Sequence, residues 1–208
     1  FFIYMGRGGG KNGFITALTL GLLSNKHGVR NYDMDIIANS EKQAKTSFEE
    51  LYDWVDYDKR LTPAFYKTKS EIRFRSTNSS LGYRTSNPKT ADGGRQGALV
   101  FDEIHYFENY DLINVYESGM GKKSKPKYFY ISSDGYIRDG VLDDKKESGH
   151  NILAGVEEHN GMLYISFSLD DESEITNEKA WIKANPRIKY DKQFAHEFKN
   201  LFVQARKN

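Results

Sequence analysis

Unbroken apolar runs recur along this chain, and segments of helical character separate them. "FFIYM" (1–5), "ALVF" (98–101) and "YFYI" (128–131) lack the alternation of a strand with one wet face. Such runs need burial on both sides, which a parallel sheet covered by helices provides. The segments between them fit that architecture. "NGFITALTLGLLSNK" follows the first run and is expected to form an apolar helix ended by Gly28. "MDIIAN" is a second strand, and "SEKQAKTSFEELYDWV" is a helix with Ser40 as its N-cap. Further on, "EIRFRST" and "SLGYRTS" suggest a hairpin, "YDLINVYESGM" a helix and "MLYISFSL" a strand. "NEKAWIKAN" and "DKQFAHEFKNLFVQARK" are expected to be helices, with Trp54 and Trp181 in the core. The fold class that follows is α/β, with a mainly parallel central sheet flanked by helices.

Composition narrows the functional classes. With 208 residues, 38% of them hydrophobic, the chain can enclose one sizeable core. There are no cysteines, so disulfides and cysteine zinc sites are excluded. A net charge of +1 advertises no global nucleic-acid footprint. No apolar run approaches the length of a membrane span, so no membrane partner is expected. The chain begins at Phe1, inside an apolar run, and is expected to be a fragment trimmed at its start.

Chemistry concentrates in "YMGRGGGKNGF". A glycine-rich turn between a strand and a helix aims several backbone N–H groups, and the positive helix end, at one point. Lys11 adds a mobile cation, and the glycines let backbone approach phosphate oxygens. The strict phosphate-loop pattern departs here in two ways. Met5 stands at the leading glycine position, with Gly6 one place late, and Asn12 replaces the hydroxyl residue that normally touches magnesium. An ordinary turn remains open on this motif alone.

"ALVFDE" supplies a second element, an apolar strand running into Asp102 and Glu103. Adjacent acids at the end of a buried strand suit a magnesium–nucleotide site, with Asp102 holding the metal and Glu103 deprotonating the attacking water. "YFYISSDG" brings Ser132, Ser133 and Asp134 to the same sheet edge, either as a sensor of the γ-phosphate or as a capped turn. His105, next to the acids, is either a nucleotide sensor or, as the simpler reading, a packing or hydrogen-bonded histidine. His27, His150, His159 and His196 lack metal-ligand spacing. "GKKSKPK" (121–127) is either a solvated turn or a phosphate contact.

The order and wording of these pieces resemble the N-terminal ATPase domain of tailed-bacteriophage terminase large subunits. The matching segments are "GRGGGKNG", "IIANSEKQAKTSFEEL", "LVFDEIHYF", "YFYISSDG" and "SLDDESEITNEKAWIKANP", which cover most of the chain. Gln43-Ala44 and the Trp181 to Pro186 segment are specific to that resemblance rather than generic to phosphate loops. The resemblance implies a P-loop NTPase of the ASCE/RecA-like kind over residues 1–208, hydrolysing ATP with Mg²⁺ to drive packaging of double-stranded DNA into a procapsid. It places Gly6, Arg7, Gly8, Gly9, Gly10, Lys11, Asn12 and Gly13 around the nucleotide. Asp102, with Asn12, falls to the metal, and Glu103, Lys11 and Arg7 to catalysis. Ser132, Ser133 and Asp134 fall on the coupling motif. Arg95 and Arg84 are the candidates for an arginine supplied in trans to the next subunit.

The same resemblance implies a homo-oligomeric ring on the portal, a small terminase subunit as partner, and the cytoplasm of an infected bacterium as location. Two departures stand beside it. Little precedes the phosphate loop where an adenine-contacting segment is expected. The nuclease domain of the family is not expected within this sequence, and "SLDDESE" is read as a solvated loop. Two other readings stay open: a helicase-type ATPase lobe, suggested by "DEIH", and a nucleotide-binding ring subunit without catalysis, suggested by Asn12.

Overall fold

The computed structural model describes residues 1–84 and 95–207. In chain order the elements are β1 (Phe2–Met5), α1 (Lys11–Leu23), β2 (Met34–Ile37), α2 (Glu41–Tyr57), β3 (Phe65–Lys67), β4 (Glu71–Phe74) and β5 (Ser79–Arg84). They continue with β6 (Ala98–Asp102), α3 (Asp111–Ser118), β7 (Lys127–Ser132), α4 (Val141–Leu153), β8 (Tyr164–Phe167), α5 (Trp181–Ala184) and α6 (Lys192–Ala205). The strands form one sheet in the order β3-β4-β5-β2-β6-β7-β1-β8. Every pairing from β5 to β8 is parallel, and β3-β4-β5 form an antiparallel edge. The mainly parallel sheet expected from the apolar runs is therefore present.

Alternation along each strand feeds two cores. Ile3, Met34, Ile36, Val100, Phe129 and Ile131 face α1 and α2, packing on Ile15, Leu23, Phe48 and Leu51. Phe2, Ile37, Leu99, Phe101 and Tyr130 face the other side, against Ile113 and Tyr116 of α3 and Val141 and Leu142 of α4. Neither face is wet, which is why the strands could not alternate apolar with polar residues.

Several local expectations are corrected. Helix α1 stops at Leu23, where the Ser24 N–H bonds the Gly21 carbonyl at 3.3 Å; Gly28 lies in the turn beyond, at φ 75°. "NEKAWIKAN" yields only the four residues of α5; residues 178–180 form a turn before it, and Pro186 ends it by forcing Asn185 out of helical space, to φ −139° and ψ 82°. "SLDDESE" is largely exposed, as a solvated loop should be, and Asp171 caps a short 3₁₀ turn over Glu172–Thr176 within it. Trp181 is buried as expected, whereas Trp54 lies on the outer side of α2 at 40% exposure. Strand β3 and helix α4 had no counterpart in the sequence reading. Residues 85 and 86 of the expected hairpin lie outside the described residues.

Candidate active site

Parallel pairing brings the carboxyl ends of β1, β6, β7 and β8 to one edge, with β1 separated from β6 by β7. The glycine loop leaves β1 there, and Asp102 and Ser132 close β6 and β7. Gly10 is the N-cap of α1 at φ 98°, and Gly8 has φ 75°. Both are left-handed conformations that side chains resist, so glycine is a backbone requirement at these two positions. A cleft of about 480 Å³ opens above the loop. That volume lies within the range of small-molecule sites. Arg7, Gly8, Gly10, Lys11, Asn12 and Gly13 line one wall, and Glu103, His105 and Tyr106 line another.

Lys11 is the first residue of α1 and is buried, its ammonium 3.7 Å from Glu103 Oε1 and 3.4 Å from the Met5 carbonyl. The Met5 position therefore serves the site through its backbone oxygen. Asn12 faces the cleft, and its own carbonyl accepts a bond from the Thr16 hydroxyl at 3.0 Å. Arg7 borders a second cleft as well, which it shares with Gly6, Asp134, Lys146 and Phe167; Gly6 and Gly9 do not line the first.

The two acids have opposite electrostatics. Asp102 is 3% exposed; burial raises its carboxyl to about 6, opposed by a 2.9 Å hydrogen bond from the Ser47 hydroxyl. Its other oxygen, Oδ1, is buried and has no partner among the described residues. Such an orphaned oxygen is costly unless a ligand or water completes it. Burial also pushes Glu103 up, but hydrogen bonds from His105 and Ser133, with the charge of Lys11, outweigh it and hold the carboxyl at about 2. Glu103 is itself left-handed, at φ 53° and ψ 53°. This is a strained conformation for a residue with a side chain, kept in place by those same bonds.

The structure brings together Lys11, Asp102, Glu103, Ser132 and Ser133. It does not bring Asp134 with them: that carboxylate turns outward to Arg138 at 3.7 Å and Lys146 at 4.0 Å. Arg84 is bound to the buried Asp35 at 3.3 Å, and Arg95 is exposed. Ser47 and Arg187 have no assignment in the sequence, whereas His105 is the hydrogen-bonded histidine expected beside the acids. Ser47 lies on the stripe Ala44, Ser47, Phe48, Leu51 and Val55 of α2, and a lone hydroxyl on a buried apolar stripe was its signal. His105 is buried beside Glu103. Arg187 reaches the loop from the far end of the chain, its Nη1 3.4 Å from the Gly8 carbonyl while Asp191 holds Nη2 at 2.7 Å. No local pattern announces it.

Comparison with known proteins follows the same lines. A family model described as the terminase large subunit, ATPase domain, matches residues 1–151. The terminase large subunit of Lactococcus phage p2 is 25% identical over 195 residues, covering 90% of this chain and 35% of the relative. Protein YmfN of Escherichia coli K12 is 27% identical over 100 residues, covering 48% of this chain and 22% of its own length. Among solved structures, the HK97 bacteriophage large terminase superposes with a TM-score of 0.76 at 20% identity, covering 89% of this chain and 38% of that one. The large terminase of a thermophilic bacteriophage, in complex with ADP, gives 0.51 at 11% identity over 63% of this chain and 33% of that one. At such identities the structural likeness speaks for the fold. The chain spans about a third of the length of the terminase relatives it matches.

Proposed function

The chain belongs to the terminase large subunit ATPase domain family, and on that premise we propose that residues 1–208 form the ATP-hydrolysing motor domain of a DNA-packaging enzyme. The observation that carries the reading is the meeting of Lys11, Asp102 and Glu103 at the mouth of a glycine loop, on one sheet edge. The large terminase of the thermophilic bacteriophage is described with ADP bound, which supports a nucleotide in the corresponding cleft.

The geometry supports the following roles. The loop from Gly8 to Gly13 wraps the phosphates, and Lys11 leaves Glu103 to neutralise the β- and γ-groups. The unpaired Oδ1 of Asp102 fits a magnesium ion, directly or through water, with the Asn12 amide as a second oxygen donor. Magnesium, when bound, neutralises phosphate charge and polarises the γ-phosphoryl group. Glu103 accepts a proton from water as the water oxygen bonds to the γ-phosphorus. The bond to the β–γ bridging oxygen breaks, and ADP and inorganic phosphate result. Arg7, at the cleft mouth, faces the γ-phosphate side.

An arginine from a neighbouring subunit of the ring completes the site. Arg84 is committed to Asp35, so Arg95 is the better candidate. Its loss is expected to lower turnover about 10³-fold or more. Double-stranded DNA, the portal and a small terminase subunit are the proposed partners, within the infected cell's cytoplasm. Turnover measured over a wide range of protein concentration tests this reading. Specific activity that climbs with concentration supports a site completed between subunits. Activity independent of concentration, even on removal of Arg95 by Arg95→Ala, contradicts it.

A further inference from the structure

His105 closes a ring of hydrogen bonds between the acid pair and the end of β7. Its Nδ1 lies 3.1 Å from Glu103 Oε2 and 3.1 Å from the Ser132 hydroxyl. Its backbone N–H donates to that hydroxyl at 3.1 Å, and the hydroxyl donates onward to the Ser133 carbonyl at 2.7 Å. Ser133 returns to the start, its N–H at 3.3 Å and its hydroxyl at 3.2 Å donating to Glu103 Oε2. The imidazole is 4% exposed and packs against Tyr106 with centroids 4.0 Å apart and the rings tilted by 41°. A side chain at position 135 would collide with it, since a Cβ on Gly135 would lie 2.6 Å from its Cδ2.

The ring treats the two oxygens of Glu103 differently. Oε2 receives donors from both His105 and Ser133, whereas Oε1 is turned toward the Lys11 ammonium. Lys11 sits at the mouth of the glycine loop, where phosphate is expected. Oε1 is therefore the oxygen left to receive a proton from water. An ionised carboxylate can only accept, so Nδ1 carries the proton it shares with Oε2.

We propose that His105 is a positioning residue: it pins Oε2 of Glu103 to Ser132 and Ser133 so that Oε1 faces the phosphate cleft, and it ties the reach of that base to the end of β7. This rests on the reading of Glu103 as general base. The end of β7 lies between β6 and β1. Any shift of that end against the acid strand then swings Oε1 toward or away from the water. Small errors of placement are expensive: about 1 Å can cost on the order of 10²-fold in rate. Nδ1 and Oε2 are engaged with each other and with Ser132 and Ser133, so nucleotide affinity is expected to be separable from the ring.

The test compares His105→Phe with His105→Asn in this chain, beside wild type and Glu103→Gln. Phenylalanine keeps the ring contact with Tyr106 and removes the donor; asparagine restores an N–H near the Nδ1 position. The inference expects kcat to fall about tenfold or more in His105→Phe. The affinity for a fluorescent ADP analogue should stay within about twofold, and asparagine should recover most of kcat. Unchanged kcat in His105→Phe, with Glu103→Gln inactive, overturns the inference alone. So does a parallel loss of ADP affinity that asparagine fails to restore, which marks a packing role. Turnover insensitive to Glu103→Gln overturns the general-base reading and the inference with it.

Discussion

Two buried carboxylates stand on neighbouring strands of this sheet and have been answered in opposite ways. Asp35 on β2 points toward the α3 and α4 side, and Asp102 ends β6 on the side of α2. Burial raises both above the ordinary carboxylate range. Asp35 is satisfied by the chain itself, with Gln96 at 2.7 Å and the Arg84 guanidinium at 3.3 Å. Asp102 has a neutral hydroxyl at 2.9 Å and a second oxygen with no partner among the described residues. The first is a finished structural pair, and the second keeps a buried oxygen for which magnesium is the proposed partner. A perturbed carboxylate points to function only when its charge is left for something outside the chain to balance.

The sharpest way to break that comparison is to neutralise each acid in turn. Asp102→Asn should lower magnesium-dependent ATP turnover about 10²-fold or more, while at neutral pH without magnesium the melting temperature should rise, because a buried charge is removed. Asp35→Ala should do the reverse. Stranding Gln96 and the half-exposed Arg84 costs about 2 kcal/mol, which thermal unfolding reads as a drop of several degrees. Its effect on turnover should stay small. Equal effects of both substitutions on turnover would erase the distinction.

Ser47→Ala sharpens it further. Without that hydrogen bond Asp102 is less well oriented, and the magnesium concentration for half-maximal turnover should rise about tenfold. The mildest effect is on stability against pH. Asp102 titrates at 3.8 when unfolded and at about 6 in the fold. The folded state thus holds the proton more tightly. That contribution is fully present below 3.8 and is lost as pH rises through about 6. Asp35 is raised too and acts in the same sense. Denaturant unfolding from about pH 4 to 7 without magnesium should show a shallower decline in Asp102→Asn than in wild type. Magnesium, which selects the ionised form, should lessen the decline in wild type only.

The contrast also explains what the sequence could disclose. Lys11, Asp102 and Glu103 were legible because each follows an apolar run whose end fixes its place on the sheet edge. Asp134 was read as one motif with Ser132 and Ser133, yet the chain turns at the end of β7 and sends its carboxylate to Arg138 and Lys146. Helix α4 was missed because it buries only Val141, Leu142 and Gly149, too few positions to imprint a helical period. The contact of Arg187 with Gly8 spans 179 positions, and the pairing of Asp35 with Arg84 spans 49. Such encounters are products of tertiary packing, beyond any local spacing rule. Ser47 and His105 lay between: their burial broke an apolar pattern, but their partners emerged only once the sheet was assembled.

The central claim is that this edge hydrolyses ATP with Glu103 as the base. The most direct measurement is ATP turnover with magnesium by wild type and Glu103→Gln, at matched saturation judged by binding of a fluorescent ATP analogue. The account predicts that the variant binds nucleotide as wild type does and loses about 10²-fold or more of the turnover. Equal turnover in the two proteins would contradict it.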